Sequence, residues 1–210
     1  MRSETSAFHV ETALAHLAAA DPVLAAIIQR VGPYGLQLRE PGFGTLVRSI
    51  IYQQLSGKVA AKILERFREA MPDGELTPEG VLALSNQQMR ALGLSGQKSA
   101  YLRDLAEKTL SGDVDFPALP SLADEEVIEH LTRVKGIGEW TAHMFLMFAL
   151  GRPDVLPVGD LGIRAAMKKA YRMRALPKPE RMEKIARRWR PWCTVASWYL
   201  WRSLENEANL

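Results

Sequence analysis

The sequence predicts an all-α protein of many short helices arranged in two lobes, and three observations carry that expectation. Apolar residues recur at the three- and four-residue spacing of a helix face, as at Leu46, Ile50, Ile51, Leu55, Val59, Ile63, Leu64 and Phe67. No segment alternates with the period of two that a half-buried strand needs, and no repeat at solenoid spacing occurs. Gly and Pro break the chain at close intervals: Gly32-Pro33, Pro41-Gly42, Pro72-Asp73-Gly74, Leu92-Gly93, Gly96, Gly112, Pro117 to Pro120, Gly151 to Pro153 and Pro177 to Pro179. The expected division puts residues 43–150 in one lobe and residues 1–42 with 151–210 in the other.

In chain order, residues 1–42 have room for a helix or two, and the apolar stripe from Leu46 to Phe67 follows. The clearest boundaries lie in the second half. Ser121 can cap a helix whose first turn holds Asp124, Glu125 and Glu126, acids suited to its positive end. Val127, Leu131 and Val134 mark its buried stripe, and it should stop at Lys135-Gly136-Ile137-Gly138. Glu139 to Leu150 restarts as an apolar helix, a Pro- and Gly-rich loop leads to Asp160, and LGIRAAMKKAYRM is helical again. Of the tryptophans, Trp189, Trp192 and Trp198 read as core.

Composition narrows the function. The chain has 210 residues, 47% of them hydrophobic, with 27 Lys+Arg against 24 Asp+Glu and a net charge of +3. That is an ordinary globular composition. The single cysteine, Cys193, excludes an internal disulfide framework and any cysteine-ligated zinc or iron–sulfur centre. His9, His16, His130 and His143 lack metal-ligand spacing. No apolar run spans a bilayer and the polar start MRSETSAFHVE is unlike a signal peptide, so a cytoplasmic monomer is expected. The charge is uneven: residues 161–210 hold 12 Lys+Arg against 4 Asp+Glu, net +8, and the rest carries −5. Such asymmetry points toward a polyanionic partner, although a solvated basic face on surface helices would produce it too.

Gly136-Ile137-Gly138 stands at the start of a helix. Glycine permits unusual dihedrals and close backbone approach, and the first N–H groups of a helix are unpaired and positive. Together these form a phosphate-sized anion site, with Lys135 adding charge and Thr141 in the first turn. A tight helix–helix turn would use the same glycines for steric reasons alone. A dinucleotide fingerprint is excluded, because it needs a preceding strand and a third glycine where Thr141 stands.

The segment VKGIGEWTAHMFLMFALGRPDVLPVGDLGI resembles the helix-hairpin-helix (HhH-GPD) DNA glycosylases, and among them the 3-methyladenine DNA glycosylase II (AlkA-like) branch. SIIYQQLSGKVAAKI, LGLSGQKSAYLRDLA and RRWRPWCTVASWYLWRSLE extend the similarity over residues 43–205. It implies the two-lobed HhH-GPD fold without the β-rich amino-terminal domain of longer relatives. It also implies a monofunctional base-excision-repair enzyme that flips alkylated bases, such as 3-methyladenine and 7-methylguanine, from double-stranded DNA and leaves an abasic site.

The resemblance assigns roles residue by residue. Asp160 matches the catalytic aspartate, whose carboxylate would stabilise the positive charge building on the sugar. On the sequence alone it reads as the N-cap of the next helix, and the two roles are compatible. Trp140 stands where strand-cutting relatives carry a Schiff-base lysine, which implies no lyase activity. Trp140 and Trp201 match pocket aromatics, for which core packing is the bland alternative. Met144 and Leu161 replace pocket tyrosines, which leaves room for 1-methyladenine, 3-methylcytosine or ethenoadenine. Gln53, Gln54 and Leu55 match the segment that fills the hole left by the flipped base, with Gln54 and Leu55 ahead. Lys135, Gly136, Gly138 and Thr141 would bind phosphate. Carbonyls of Thr132, Val134 and Ile137 would hold Na⁺ or K⁺, with no other cofactor expected. The non-enzyme alternative is a helix-hairpin-helix module that binds DNA by its backbone only.

Overall fold

The computed structural model describes residues 10–205, and no strand occurs among the described residues. Twelve α-helices follow in chain order: α1 (Val10–Ala20), α2 (Pro22–Val31), α3 (Phe43–Tyr52), α4 (Gly57–Glu69), α5 (Pro78–Ala83), α6 (Asn86–Ala91), α7 (Gly96–Leu110), α8 (Asp124–Thr132), α9 (Glu139–Phe148), α10 (Leu161–Ala170), α11 (Pro179–Ala186) and α12 (Cys193–Glu205). They fall into two compact units, Arg39–Leu150 and the two chain ends Met1–Leu38 with Gly151–Leu210. The first break therefore falls a few residues ahead of the Pro41-Gly42 punctuation.

The unit made from the chain ends packs α1, α2, α10, α11 and α12 around a core that includes Leu17, Leu24, Ile163, Met167, Trp189 and Tyr199, all fully buried. Asp21 lies at the centre of it, completely buried between α1 and α2. One carboxylate oxygen accepts the Val23 N–H at 3.0 Å and so caps α2. The other accepts the Tyr171 hydroxyl at 2.6 Å and the Trp189 indole N–H at 2.9 Å. Three donors satisfy a carboxylate that burial alone would penalise heavily. Burial and this carboxylate push the Tyr171 phenol far above its ordinary pKa. Trp192 and Trp198 are only partly buried at the edge of this core, so of the three tryptophans expected there Trp189 alone lies fully inside.

The other unit is continuous in sequence. Helix α3 buries Leu46, Val47, Ile50 and Ile51, and α4 buries Ala60, Ile63, Leu64 and Phe67. Between them the expected stripe breaks: Leu55 is 39% exposed and Val59 47%. The helical register is lost at a turn in which Gln53 is extended (φ −55°, ψ 130°) and Gln54 is left-handed (φ 57°). Helix α7, the longest in this unit at 15 residues, buries Leu102, Leu105 and Ala106 and packs against α3 and α5. Ser121 does not cap α8. It lies in a single 3₁₀ turn and donates to the Ala118 carbonyl at 2.7 Å. Glu126 reaches back instead, accepting the Ala123 N–H at 2.8 Å. Val127, Leu131 and Val134 form the expected buried stripe.

Candidate functional site

In the continuous unit the loop from α8 to α9 is a tight hairpin. Val134 N–H bonds Leu131 O at 3.2 Å, and Ile137 N–H bonds Val134 O at 3.1 Å. Ile137 is buried as its inward pin. Its two glycines have different reasons to be there. Gly136 has φ +80°, and a Cβ on it would lie 2.1 Å from Cδ2 of Tyr101, so the ring excludes any side chain. Gly138 has φ −102°, open to any residue, and a Cβ there would meet nothing within 4 Å. It occupies the N-cap position of α9 and supplies no side-chain cap. The positive end of α9 is therefore not covered by a cap from its own N-cap residue.

Lys135 beside it is largely exposed. Its N–H reaches Asp104 Oδ2 at 2.8 Å and its ammonium lies 3.2 Å from Asp104 Oδ1. Asp104, on α7, also accepts from Lys108 at 2.7 Å. Burial pushes the Asp104 carboxyl upward, and the hydrogen bonds from Lys108 and Lys135 outweigh it, leaving its pKa below the ordinary value. Thr141 departs from expectation, because its side chain is buried and lines a cavity wall. Only its backbone belongs to the helix start.

The three residues expected at the wedge separate. The Gln53 amide donates to the Gly136 carbonyl at 2.8 Å, so this side chain ties the turn to the hairpin instead of projecting. Gln54 and Leu55 are exposed at the tip. Beneath them the Lys98 ammonium, from α7, donates to the carbonyls of Ile51 at 2.6 Å and Gln53 at 2.7 Å. Burial pushes the Lys98 pKa down.

A cavity of about 650 Å³ adjoins this turn, walled among others by Trp140, Met144, Tyr52, Phe148, Arg39 and Arg48. No carboxylate lines it among the described residues. Trp140 is 47% exposed, which sets aside its core-packing alternative. Arg48 lies over the Tyr52 ring at 3.8 Å. Burial and the neighbouring Arg48 charge push the Arg39 pKa down, with Tyr52 acting the other way.

In the unit made from the chain ends, Asp160 is buried and is the N-cap of α10. Its Oδ1 accepts the Ile163 N–H at 2.7 Å and the Trp201 indole N–H at 2.9 Å. Trp201 thus orients the carboxylate from α12. Gly162 makes room for this: a Cβ there would lie 3.0 Å from Asp160 Oδ1 and 3.1 Å from the indole. Leu161, next to the carboxylate, is 65% exposed. The basic excess after Asp160 belongs to this same unit, carried by α10 and α11 and the loops around them.

Of the proposed cation ligands, the Val134 carbonyl already accepts one hydrogen bond within the hairpin and keeps a second lone pair. Neutral carbonyl oxygens suit a hard monovalent ion. No group of three or more His, Cys, Asp or Glu occurs among the described residues. Sequence reasoning missed Lys98, Tyr101, Asp104 and Asp21. The spacing of the first three on one face of a helix, three residues apart, was the available signal, but mixed polar residues at that spacing read as a solvent face.

A family model described as HhH-GPD superfamily base excision DNA repair protein matches residues 47–191. DNA-3-methyladenine glycosylase 1 of Schizosaccharomyces pombe is 36% identical over 194 residues, covering 90% of this chain and 85% of that one. The solved structure of S. pombe 3-methyladenine DNA glycosylase in complex with abasic DNA matches with a TM-score of 0.81 at 36% identity, over 90% of this chain and 95% of that one. The DNA-3-methyladenine glycosidase of Bacillus halodurans matches with a TM-score of 0.84 at 35% identity, over 100% of this chain and 95% of that one.

Proposed function

The chain belongs to the HhH-GPD superfamily of base excision DNA repair proteins, and from that premise we propose that it is a monofunctional DNA glycosylase releasing alkylated purines from double-stranded DNA. The observation that carries the reading is Asp160, a buried carboxylate fixed at a helix start by a backbone N–H and an indole N–H. In the reaction the C1′–N bond breaks and its electron pair leaves with the base. Positive charge develops on the sugar, the Asp160 carboxylate stabilises it, and water adds at C1′ and loses a proton. A base already cationic through alkylation departs neutral and needs no general acid. Trp140 has no amine to form a Schiff base, so the product is an abasic site in an uncut strand.

Phosphate binding falls to the start of α9 with Gly138 and Lys135, which positions the protein without reading sequence. Trp140 is available for base stacking, and Gln54 and Leu55 for filling the vacated stack. Carbonyls of Thr132, Val134 and Ile137 would hold Na⁺ or K⁺, neutralising phosphate charge. Such an enzyme acts where the DNA lies, the cytoplasm in a bacterium.

The deciding experiment compares base release from methylated DNA by the wild type and Asp160→Asn. Asparagine keeps the cap, so folding should survive, while release should fall by at least about a hundredfold. Equal release by both, or none by either, overturns the reading. A second substrate class is favoured by Met144 and Leu161, which stand where the resembled branch has pocket tyrosines and so give less aromatic enclosure to a cationic base. A neutral lesion such as ethenoadenine, which takes up a proton as it leaves, depends less on that enclosure. Release of ethenoadenine faster than 3-methyladenine would decide for it.

A further inference from the structure

Helix α3 ends with its carbonyls directed at the turn 53–56, and the negative end of a helix favours a cation there. The cation comes from elsewhere. Lys98 stands in the first turn of α7, where the positive end of its own helix disfavours it. Its short bonds to the Ile51 and Gln53 carbonyls account for a lysine in that place. One turn further along α7, Tyr101 lies flat against Gly136, and Gln97 bonds its hydroxyl at 2.6 Å. A second turn on, Asp104 takes the Lys135 N–H. A single helix face thus holds both the turn and the hairpin, and the Gln53 amide joins the two directly. What this frame presents is Gln54, in a left-handed conformation that L residues other than Asn and Asp seldom adopt.

We infer that Lys98 and Gln53 are positioning residues that lock the turn bearing Gln54 to the Gly136 hairpin, so that the wedge and the phosphate site meet DNA as one rigid piece. The inference rests on the glycosylase reading for the identity of wedge and hairpin. Neither residue contacts the reacting atoms. Their contribution lies in extruding a paired base, a cost that is smallest for a base already unpaired.

The test is single-turnover release of a methylated purine from a paired duplex and from a single strand by wild type, Lys98→Met, Gln53→Ala and Lys98→Arg. The ratio of paired to unpaired rates cancels any loss of folded protein. It should fall by about tenfold in Lys98→Met, the loss of two charge-assisted hydrogen bonds. A smaller fall is expected in Gln53→Ala, and Lys98→Arg should recover much of the ratio. Affinity for undamaged duplex should be unchanged. In parallel, 2-aminopurine beside a tetrahydrofuran abasic analogue reads insertion without any chemistry, and its fluorescence change should shrink in the same order. An unchanged ratio together with unchanged fluorescence, or equal losses on both substrates, overturns the inference. Inactive wild type with a normal fluorescence response would overturn the glycosylase reading and leave this one standing.

Discussion

Helices α9 and α10 are both ten residues long and both follow a glycine-containing loop, yet they begin in opposite ways. At α10 the first-turn N–H of Ile163 is filled by the Asp160 carboxylate. At α9 the N-cap is Gly138, which brings no side chain and around which a Cβ would touch nothing. One helix start thus carries its anion at the N-cap; the other has none there, and its first-turn acid, Glu139, lies 3.7 Å from the His143 ring. The same dipole physics serves two ends: seating a carboxylate at α10 and, in the proposed reading, a phosphate at α9.

The largest effect expected from perturbing this contrast comes from the glycine that does not belong to it. Gly136→Ala should destabilise the protein by about 2–3 kcal/mol through overlap with Tyr101 and a positive φ, read as a fall in the denaturant midpoint. If Gly136→Ala folds normally and only DNA binding suffers, both hairpin glycines serve the ligand. Gly138→Asp converts the α9 start into a copy of the α10 start. Its thermal midpoint should hold or rise slightly, since Asp caps at least as well as Gly. Affinity for duplex should drop about tenfold, damaged or not, as one phosphate site is filled by a like charge. A lesion-selective loss would show that α9 reads the base. The smallest effect concerns Asp104, whose carboxylate takes a backbone N–H one turn before the open start. Its folded pKa is depressed, so its contribution is complete above the ordinary carboxylate range and is lost as pH falls below that range through the depressed value. Acid unfolding of Asp104→Asn should therefore be less steep in that window than that of the wild type.

What could be read in advance follows from the range of the interactions. Helix type, the hairpin and the cap at Asp160 are local, fixed by apolar spacing and by residues within four positions. The break at Gln53–Ser56 was hidden because Leu55 and Val59 continue the helical spacing by coincidence while the backbone turns. The Gln53 bond to Gly136 and the Trp201 bond to Asp160 span 83 and 41 residues, and no local pattern announces either. Asp21 was invisible for the same reason: its polar partners, Tyr171 and Trp189, lie 150 and 168 residues away.

That last separation bears on how the chain is made. Arg39–Leu150 has its whole set of internal partners once residue 150 has left the ribosome, and it can fold as a unit during synthesis. Helices α1 and α2 precede that unit in the chain but are completed after it, because Asp21 lacks its full set of partners until the chain has been made past α11 to Trp189. The buried carboxylate thus ties the closing of the discontinuous unit to synthesis of the chain beyond Trp189.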